Sequence, residues 1–479
     1  MHEWKQDEHC IFHVDVNSAF LSWSALKKLE DDPEAVDLRT IPSAVGGDVQ
    51  TRHGIITAKS IPAKKYGVQT GEPVVKAHQK CPTLVLVKSD FAVYRRYSHA
   101  LMDILREYTD VVEQASIDEA YLDMTQSRGK LKNSETEDMP WPLNAAHEIR
   151  KRVYRELGFT VNVGISVNKL LAKMASDFEK PDKVHTLFPE EVPEKLWPLP
   201  MRELHGCGKA TAQHLHQMGI ETIGQAARMS LPILQANLGE KAGLYIWKSS
   251  NGRGSINVKT EREKAKSYSN EETTAEDITN ENYRTLGPEI IGRLSSKVAS
   301  RMEKAGVYAQ TVGVNVKTED FRRHSRQVTL TSPTRDAEVI RRESEKLMED
   351  MVFGDDGFFA AGHGLRLIGI GCTNLSDGSY MQMDLFSWAQ TLQERELAER
   401  QEEERRRKEE EQKKAELLRK EKEQKQAEQT LRKKEKLEEM MTRVQTRYGK
   451  AAISKGYGSR RHEVSQEGEA DQAILPGRD

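Results

Sequence analysis

The chain has 479 residues and a formal net charge of −2, which leaves room for three or four domains and excludes a surface that is basic all over, so any nucleic-acid contact has to be local. Its cysteines, Cys10, Cys81, Cys207 and Cys372, form no CxxC pair and no zinc spacing, the pattern of buried thiols in a reduced, cytoplasmic chain. No apolar run approaches the ~20 residues of a membrane span, and MHEWKQDEHC is too polar for a secretion signal, so a soluble protein with no membrane partner is expected.

In chain order, IFHVDVNSAF (residues 11–20) comes first. Ile11, His13 and Asp15 alternate with Phe12, Val14 and Val16 at the two-residue period of a strand, which places Asp15 near the end of a buried element. Phe20, Trp23, Leu26 and Leu29 then recur at helical spacing until Pro33 stops the helix. The backbone N–H groups of Asn17, Ser18, Ala19 and Phe20 are expected to be free donors at that helix start, a ready site for phosphate oxygens. By periodicity alone, Phe20 reads as an ordinary core residue.

Residues 35–90 alternate short apolar strands with glycines and prolines, the pattern of a small subdomain or loop-rich insertion. Arg52, Lys59, Lys64 and Lys65 form a basic cluster that suits phosphate or, equally, a solvated face. An amphipathic helix starts at Phe91, with Val93, Tyr97, Leu101, Ile104, Leu105 and Tyr108 on one stripe, and leads into SIDEAYLDM, residues 116–124. There Asp118 and Glu119 lie between Ile117 and the Ala120-Tyr121-Leu122 run. Three acids converging from two neighbouring strands repel unless a divalent cation sits between them, and oxygen-only ligands point to magnesium. The alternative is a strand end whose acids pair with surface lysines.

An acidic insertion at 126–143 has no assignable role. A helix (143–158), a strand (159–167) and a helix opening at Asn168 complete an α/β layer on a mixed sheet. Lys169, in the first turn of that helix, either reaches a phosphate at the sheet edge or snorkels to the surface. The sequence GCGKAT is not a phosphate loop, because Glu203 stands where the first glycine is required and Ala210 replaces the Ser/Thr. A helix-hairpin-helix there turns Gly206, Gly208 and Lys209 toward a nucleic-acid phosphate, unless it is a plain helical turn. After a linker at 249–267, residues 266–375 read as βαββαβ with helices at 280–305 and 335–351. Arg322, Arg323, His324 and Arg326 beside one strand suit a DNA backbone or a charged, solvated edge.

HVDVNSAF, KSIPAKKYGV, YRRYSHALMDIL, SIDEAYLD, VGISVNKLLAKMASDFEKPD and GCGKAT, in this order across about residues 10–375, resemble the Y-family DNA polymerases of the DNA polymerase IV type. The resemblance implies a multidomain α/β right hand. Its parts are a palm (10–34 and 91–200), fingers (35–90), a helical thumb (201–258) and a βαββαβ little finger (266–375). A linker (376–390) and a charged tail (391–479), helical and then disordered, follow. It further implies error-prone translesion synthesis by a monomer, without proofreading, on primer-template DNA and deoxynucleoside triphosphates. Two magnesium ions would be held by Asp15, Asp118, Glu119 and the Val16 carbonyl, with Asp118 and Glu119 catalytic. The nucleotide would meet Ser18, Ala19, Phe20 as steric gate, Lys64 and Lys169. DNA would meet Gly206, Gly208, Lys209, Arg322, Arg323 and Arg326.

Three positions depart from the pattern. Ile61 stands for a tyrosine, Lys64 for an arginine and Asn17 for an aspartate, and the first two loosen the expected triphosphate grip. Gln382, Met383, Asp384, Leu385 and Phe386 resemble the sliding-clamp-binding peptide of bacterial polymerases, with Met383 where leucine is commoner; the alternative is a strand end folded back on the little finger. The tail, dense in both signs of charge with sparse leucines, is expected to be an isolated helix laced by i,i+4 pairs, the alternatives being a coiled coil or disorder. Two other function classes compete, a catalytically idle DNA-binding accessory protein and a nuclease using the same metals.

Overall fold

The computed structural model describes residues 4, 8–47, 54–127, 141–261, 263–354, 356–378, 400, 407, 414, 425, 426, 428–447 and 449. Two units make up the chain, Met1–Met381 and Gln382–Asp479.

In the first unit, β1 (Ile11–Val16) leads into α1 (Ala19–Asp31), and a small piece follows with β2 (Ser43–Gly46), β3 (Ile56–Lys59), α2 (Ile61–Lys65), α3 (Val74–Lys80) and β4 (Val85–Val87). Then come α4 (Phe91–Arg106), β5 (Val112–Gln114), β6 (Glu119–Asp123), α5 (Leu143–Leu157), β7 (Val161–Ser166), α6 (Lys169–Asp177) and β8 (Val184–Thr186). The main sheet runs β5-β6-β1-β7-β8. It is mixed: β1 is antiparallel to β6 and β7, while β7 and β8 are parallel. β1 is its central strand, and all six of its residues are buried.

Local chemistry sets the ends of these elements. Ser18, at φ 50°, turns the chain from β1 straight into α1, and the Ser22 hydroxyl donates to the Asn17 carbonyl at 2.8 Å. Asp90 caps α4 by accepting from the Ala92 and Val93 amides, and Asn168 caps α6 through the Leu171 amide. Trp23 and Phe12 from β1–α1, Tyr94 from α4 and Phe159 fill one core. α6 lies so close on β7 that a Cβ on Gly164 would fall 2.0 Å from the Ala172 carbonyl oxygen.

The small piece is a three-stranded sheet, β3-β2-β4. It also holds α2 and α3, which the turn signals of its sequence conceal. α2 is capped by the Ser60 hydroxyl, which accepts from the Ala63 amide at 3.0 Å. Helices of five and seven residues are too short to show a period.

Immediately before the GCG hairpin, where a helix was expected from Met201, the chain makes a 3₁₀ turn, Met201–Glu203. Four helices follow: α7 (Lys209–Gln217), α8 (Ile223–Arg228), α9 (Leu231–Leu238) and α10 (Glu240–Ser250). Their core, with Leu215, Ile223, Leu234 and Ile246, is continuous with Leu171 and Met174 of α6. The linker that follows is docked, because Val258 is buried among Ile11, Tyr121 and Ala172 and Ser255 O accepts from the Lys169 amide at 2.9 Å.

The last part of this unit is β9 (Ser267–Ile278), α11 (Tyr283–Lys304), β10 (Tyr308–Thr318), β11 (Arg323–Thr334), α12 (Ala337–Phe353) and β12 (Leu365–Ser376). The antiparallel sheet runs β11-β10-β12-β9. Val312, Val314, Val316, Ile368 and Ile370 pack with Ile291, Leu294, Val298, Ile340 and Met348 of the two helices in one core. All four cysteines are buried and none is in a disulfide.

In the second unit, residues 428–447 are helical. Leu431, Leu437 and Met440 are exposed on it, and Arg432 pairs with Glu428 at the i,i+4 spacing, 3.3 Å apart. The 382–386 peptide, Arg52, the 128–140 part of the insertion and most of 391–427 lie outside the described residues. Among the described residues, no helix is long and apolar enough to cross a membrane.

Candidate active site

The register of β1 on β6 sets Asp15 directly opposite Glu119. Asp118 is not in a strand. It sits in the bend before β6, where its carbonyl accepts from the Val16 amide at 3.0 Å. The Ser116 hydroxyl donates to the Asp118 carboxylate at 2.6 Å and accepts from the Asp118 and Glu119 amides. Three acidic residues thus stand at the end of two adjacent strands. The sequence reading named all three acids but set Asp118 in a strand with Glu119, whereas a tight turn carries it.

The cations around them come from α6 and the loop after it. Four-residue spacing puts Lys169, Lys173 and Asp177 on one side of that helix. Lys173 Nζ lies 2.6 Å from Glu119 Oε1, 3.2 Å from Asp15 Oδ2 and 3.3 Å from Asp177 Oδ2. Lys180 Nζ sits 2.7 Å from Asp15 Oδ1 and 2.9 Å from Asp177 Oδ1. The Ser176 hydroxyl lies 2.8 Å from the Lys173 carbonyl oxygen and 2.7 Å from His13 Nδ1. That leaves His13 Nε2 facing Glu119 Oε2 at 3.7 Å.

Burial, reinforced by the neighbouring Glu119, pushes Asp15 above the usual carboxylate range, against the pull of Lys180 and Lys173. His13, Asp15 and Lys173 hold Glu119 well below that range. Burial lowers His13 to about 4, which keeps it neutral at physiological pH. Burial also works against the Lys173 ammonium, but Asp15, Glu119 and Asp177 outweigh it and keep it charged. Among the described residues, no three acidic, His or Cys side chains already form a metal-ligand set. An ammonium stands between Asp15 and Glu119 instead. The donors are all oxygen, which suits a hard divalent cation.

Phe20 is half-buried on the first turn of α1, stacked on Tyr94 at 4.7 Å and edge-on to Phe91 at 5.9 Å. Ser18 is exposed and Ala19 buried. The Asn17 amide is not a free donor, because it bonds Thr160 O at 3.0 Å. The Asn17 side chain accepts from the Asp182 amide at 2.9 Å and donates to Asn162 at 3.1 Å, so it braces the loop that carries Lys180. Lys64 is exposed on α2 and helps to lower the ammonium of Lys59, after burial. Lys169 is engaged away from the carboxylates: Glu113 holds it at 2.6 Å, and it lies over the Tyr121 ring at 4.6 Å.

Family models match three stretches: the impB/mucB/samB family at 14–177, the C-terminal domain of that family at 265–385 and the DNA polymerase-iota thumb domain at 202–254. DNA polymerase IV of Clostridium acetobutylicum is 38% identical over 376 residues, covering 78% of this chain and 89% of the relative. The chain belongs to the Y-family DNA polymerases. DNA polymerase IV 1 of Bacillus subtilis is 36% identical over 400 residues, with 82% and 89% covered. A solved Y-family DNA polymerase chimera, Dbh-Dpo4(243-245)-Dbh, shares the fold at a TM-score of 0.62 and 24% identity, over 76% of this chain and 98% of that one. The protein is a DNA-directed DNA polymerase.

Two further surfaces of this Y-family polymerase carry the residues expected at DNA. Gly206 has φ +80°, and a Cβ there would strike the Tyr245 hydroxyl, which donates to His205 O at 2.7 Å. Gly208 heads α7 with open space around it, and Lys209 is exposed beside it. Arg322 pairs with Asp320 at 3.1 Å. On the edge strand β11, Arg323 reaches Glu271 at 3.1 Å and Arg326 is exposed. Sequence reasoning missed Lys173 and Lys180. The only local signal was the i,i+4 spacing of Lys169, Lys173 and Asp177.

Proposed function

We propose that this polymerase carries out error-prone, template-directed synthesis across damaged DNA, without proofreading, as a cytoplasmic monomer on primer-template DNA and deoxynucleoside triphosphates. The main sheet serves as palm, the small sheet as fingers, α7–α10 as thumb and the β9–β12 sheet as little finger. The observation that carries this reading is the in-register pair Asp15 and Glu119, with Asp118 in the adjoining bend. Asp15, Asp118, Glu119 and the Val16 carbonyl would hold two magnesium ions. When bound, these supply the charge that brings primer 3′-hydroxyl and α-phosphate together.

The chain's own side chains then bind and orient the nucleotide. Lys180, 36% exposed at the open side of Asp15, is placed to meet the triphosphate, and Lys64 and Lys59 add positive charge from the fingers. In this reading Lys180 takes the part expected of Lys169. Phe20, braced by Tyr94 and Phe91, closes the floor beneath the sugar. A primer-extension assay on damaged and undamaged templates tests the function. Extension past the lesion is expected; magnesium-dependent degradation of the primer would mean a nuclease, and no extension would mean an accessory protein.

Phe20→Ala is expected to raise ribonucleotide over deoxynucleotide incorporation by roughly 10- to 100-fold, since rejecting a hydroxyl by shape is worth ~1–3 kcal/mol. Competition kinetics with matched nucleotide pairs measure it. An unchanged ratio would return Phe20 to the aromatic core. Replacing Leu385 and Phe386 with alanine is expected to leave distributive synthesis intact and to abolish stimulation by the sliding clamp, because the pair would be the apolar anchors of a short extended peptide. Equal stimulation of wild type and variant at matched salt would place the tether elsewhere.

A further inference from the structure

Asp15 and Glu119, in register on adjacent strands, would repel each other in a buried site with nothing between them. The group between them is the Lys173 ammonium. Its side chain is only 9% exposed. Beyond its contacts to these two acids it has a third acceptor one helical turn on, Asp177 at 3.3 Å. Ser176, within hydrogen-bond distance of His13 Nδ1 and of the Lys173 carbonyl, braces that turn.

We propose that Lys173 is a positioning residue, the resident counter-ion of the carboxylate centre. It holds Asp15 and Glu119 together in the free polymerase and competes with divalent cations for Asp15 Oδ2 and Glu119 Oε1. A cation arriving alone therefore meets a centre whose negative charge is already compensated. A cation arriving with a triphosphate brings fresh anionic oxygens, and Lys173 keeps Asp177 as its acceptor when the other two turn to the metal. This inference rests on the metal-site reading above.

The test is direct Mn²⁺ binding to the full-length protein without nucleotide or DNA, counting free Mn²⁺ by electron paramagnetic resonance. K173M is expected to bind Mn²⁺ at least about tenfold more tightly than wild type, since it removes a unit positive charge from within hydrogen-bond distance of both carboxylates. K173R, which keeps the charge, should stay within about twofold of wild type on the same reasoning. Should K173M not fold, K173Q, which retains a donor to the carboxylates, takes its place with the same expectation. A folded neutral variant that binds Mn²⁺ no more tightly than wild type would overturn the proposal and leave the metal-site reading standing. Tight binding that persists when D118A is added to K173M would put the ion elsewhere and overturn both.

Discussion

Asp118→Ala should lower nucleotide addition roughly a thousandfold or more, the scale of the several kcal/mol that a bound metal contributes to a transition state. The fold should survive. The backbone bond from the Val16 amide to Asp118 O remains in the variant, and the side chain's hydrogen bond is to Ser116, a residue of the same bend. Losing that bond costs about 1 kcal/mol. Glu119 keeps Lys173, and Asp15 keeps both lysines, so the surrounding ion pairs stay as they are. Thermal melting followed by circular dichroism, together with single-turnover primer extension, checks the two halves. Extension within about tenfold of wild type would remove Asp118 from the chemistry.

Gly164→Ala should destabilise the protein by more than about 4 kcal/mol, at the far end of single-substitution effects, because the clash is between main-chain atoms. The new Cβ would stand 2.0 Å from the Ala172 carbonyl oxygen and 2.5 Å from the Ser176 amide nitrogen. No rotamer relieves that contact, so α6 must move off β7. α6 carries Lys173 and, through the loop beyond it, Lys180, so the charge balance at Asp15 and Glu119 fails along with the packing. Gly371→Ala is the control. Its Cβ would meet only the Ser269 side chain, at 3.4 Å, and a near-neutral change is expected. Urea denaturation of both variants measures the difference. If the two were equally stable, close approach of α6 to β7 would not be what Gly164 permits.

Much of this was legible along the chain. The two-residue period of 11–16 placed Asp15 at the end of a buried strand, and the structure buries all six residues of β1. The stripe from Val93 to Leu105 became the buried face of α4. The two helices of the β9–β12 part, α11 and α12, begin and end within about three residues of where their pattern put them. Glycine chemistry was readable too, since GCG announced a turn and Gly206 takes the left-handed conformation there. Where signals were short, they failed. α2 and α3 are below the length at which a helical period shows, and Asp118 lies in a bend whose geometry depends on the Ser116 hydroxyl.

By itself the sequence determined where the longer strands and helices lie, which faces they bury, that acids stand at or beside strand ends, and the family to which the chain belongs. Each of these is written within a few residues of its own position, because side-chain direction follows the local backbone period. Only the tertiary structure decided which cation meets which acid. Lys173 and Lys180 reach Asp15 across 158 and 165 positions of chain, and they do so because β7 pairs beside β1 and brings α6 over the carboxylates. Lys169, one turn earlier on the same helix, is drawn to Glu113 on β5 by that same packing. Charge pairing between remote residues depends on strand order and helix docking, which no local periodicity encodes.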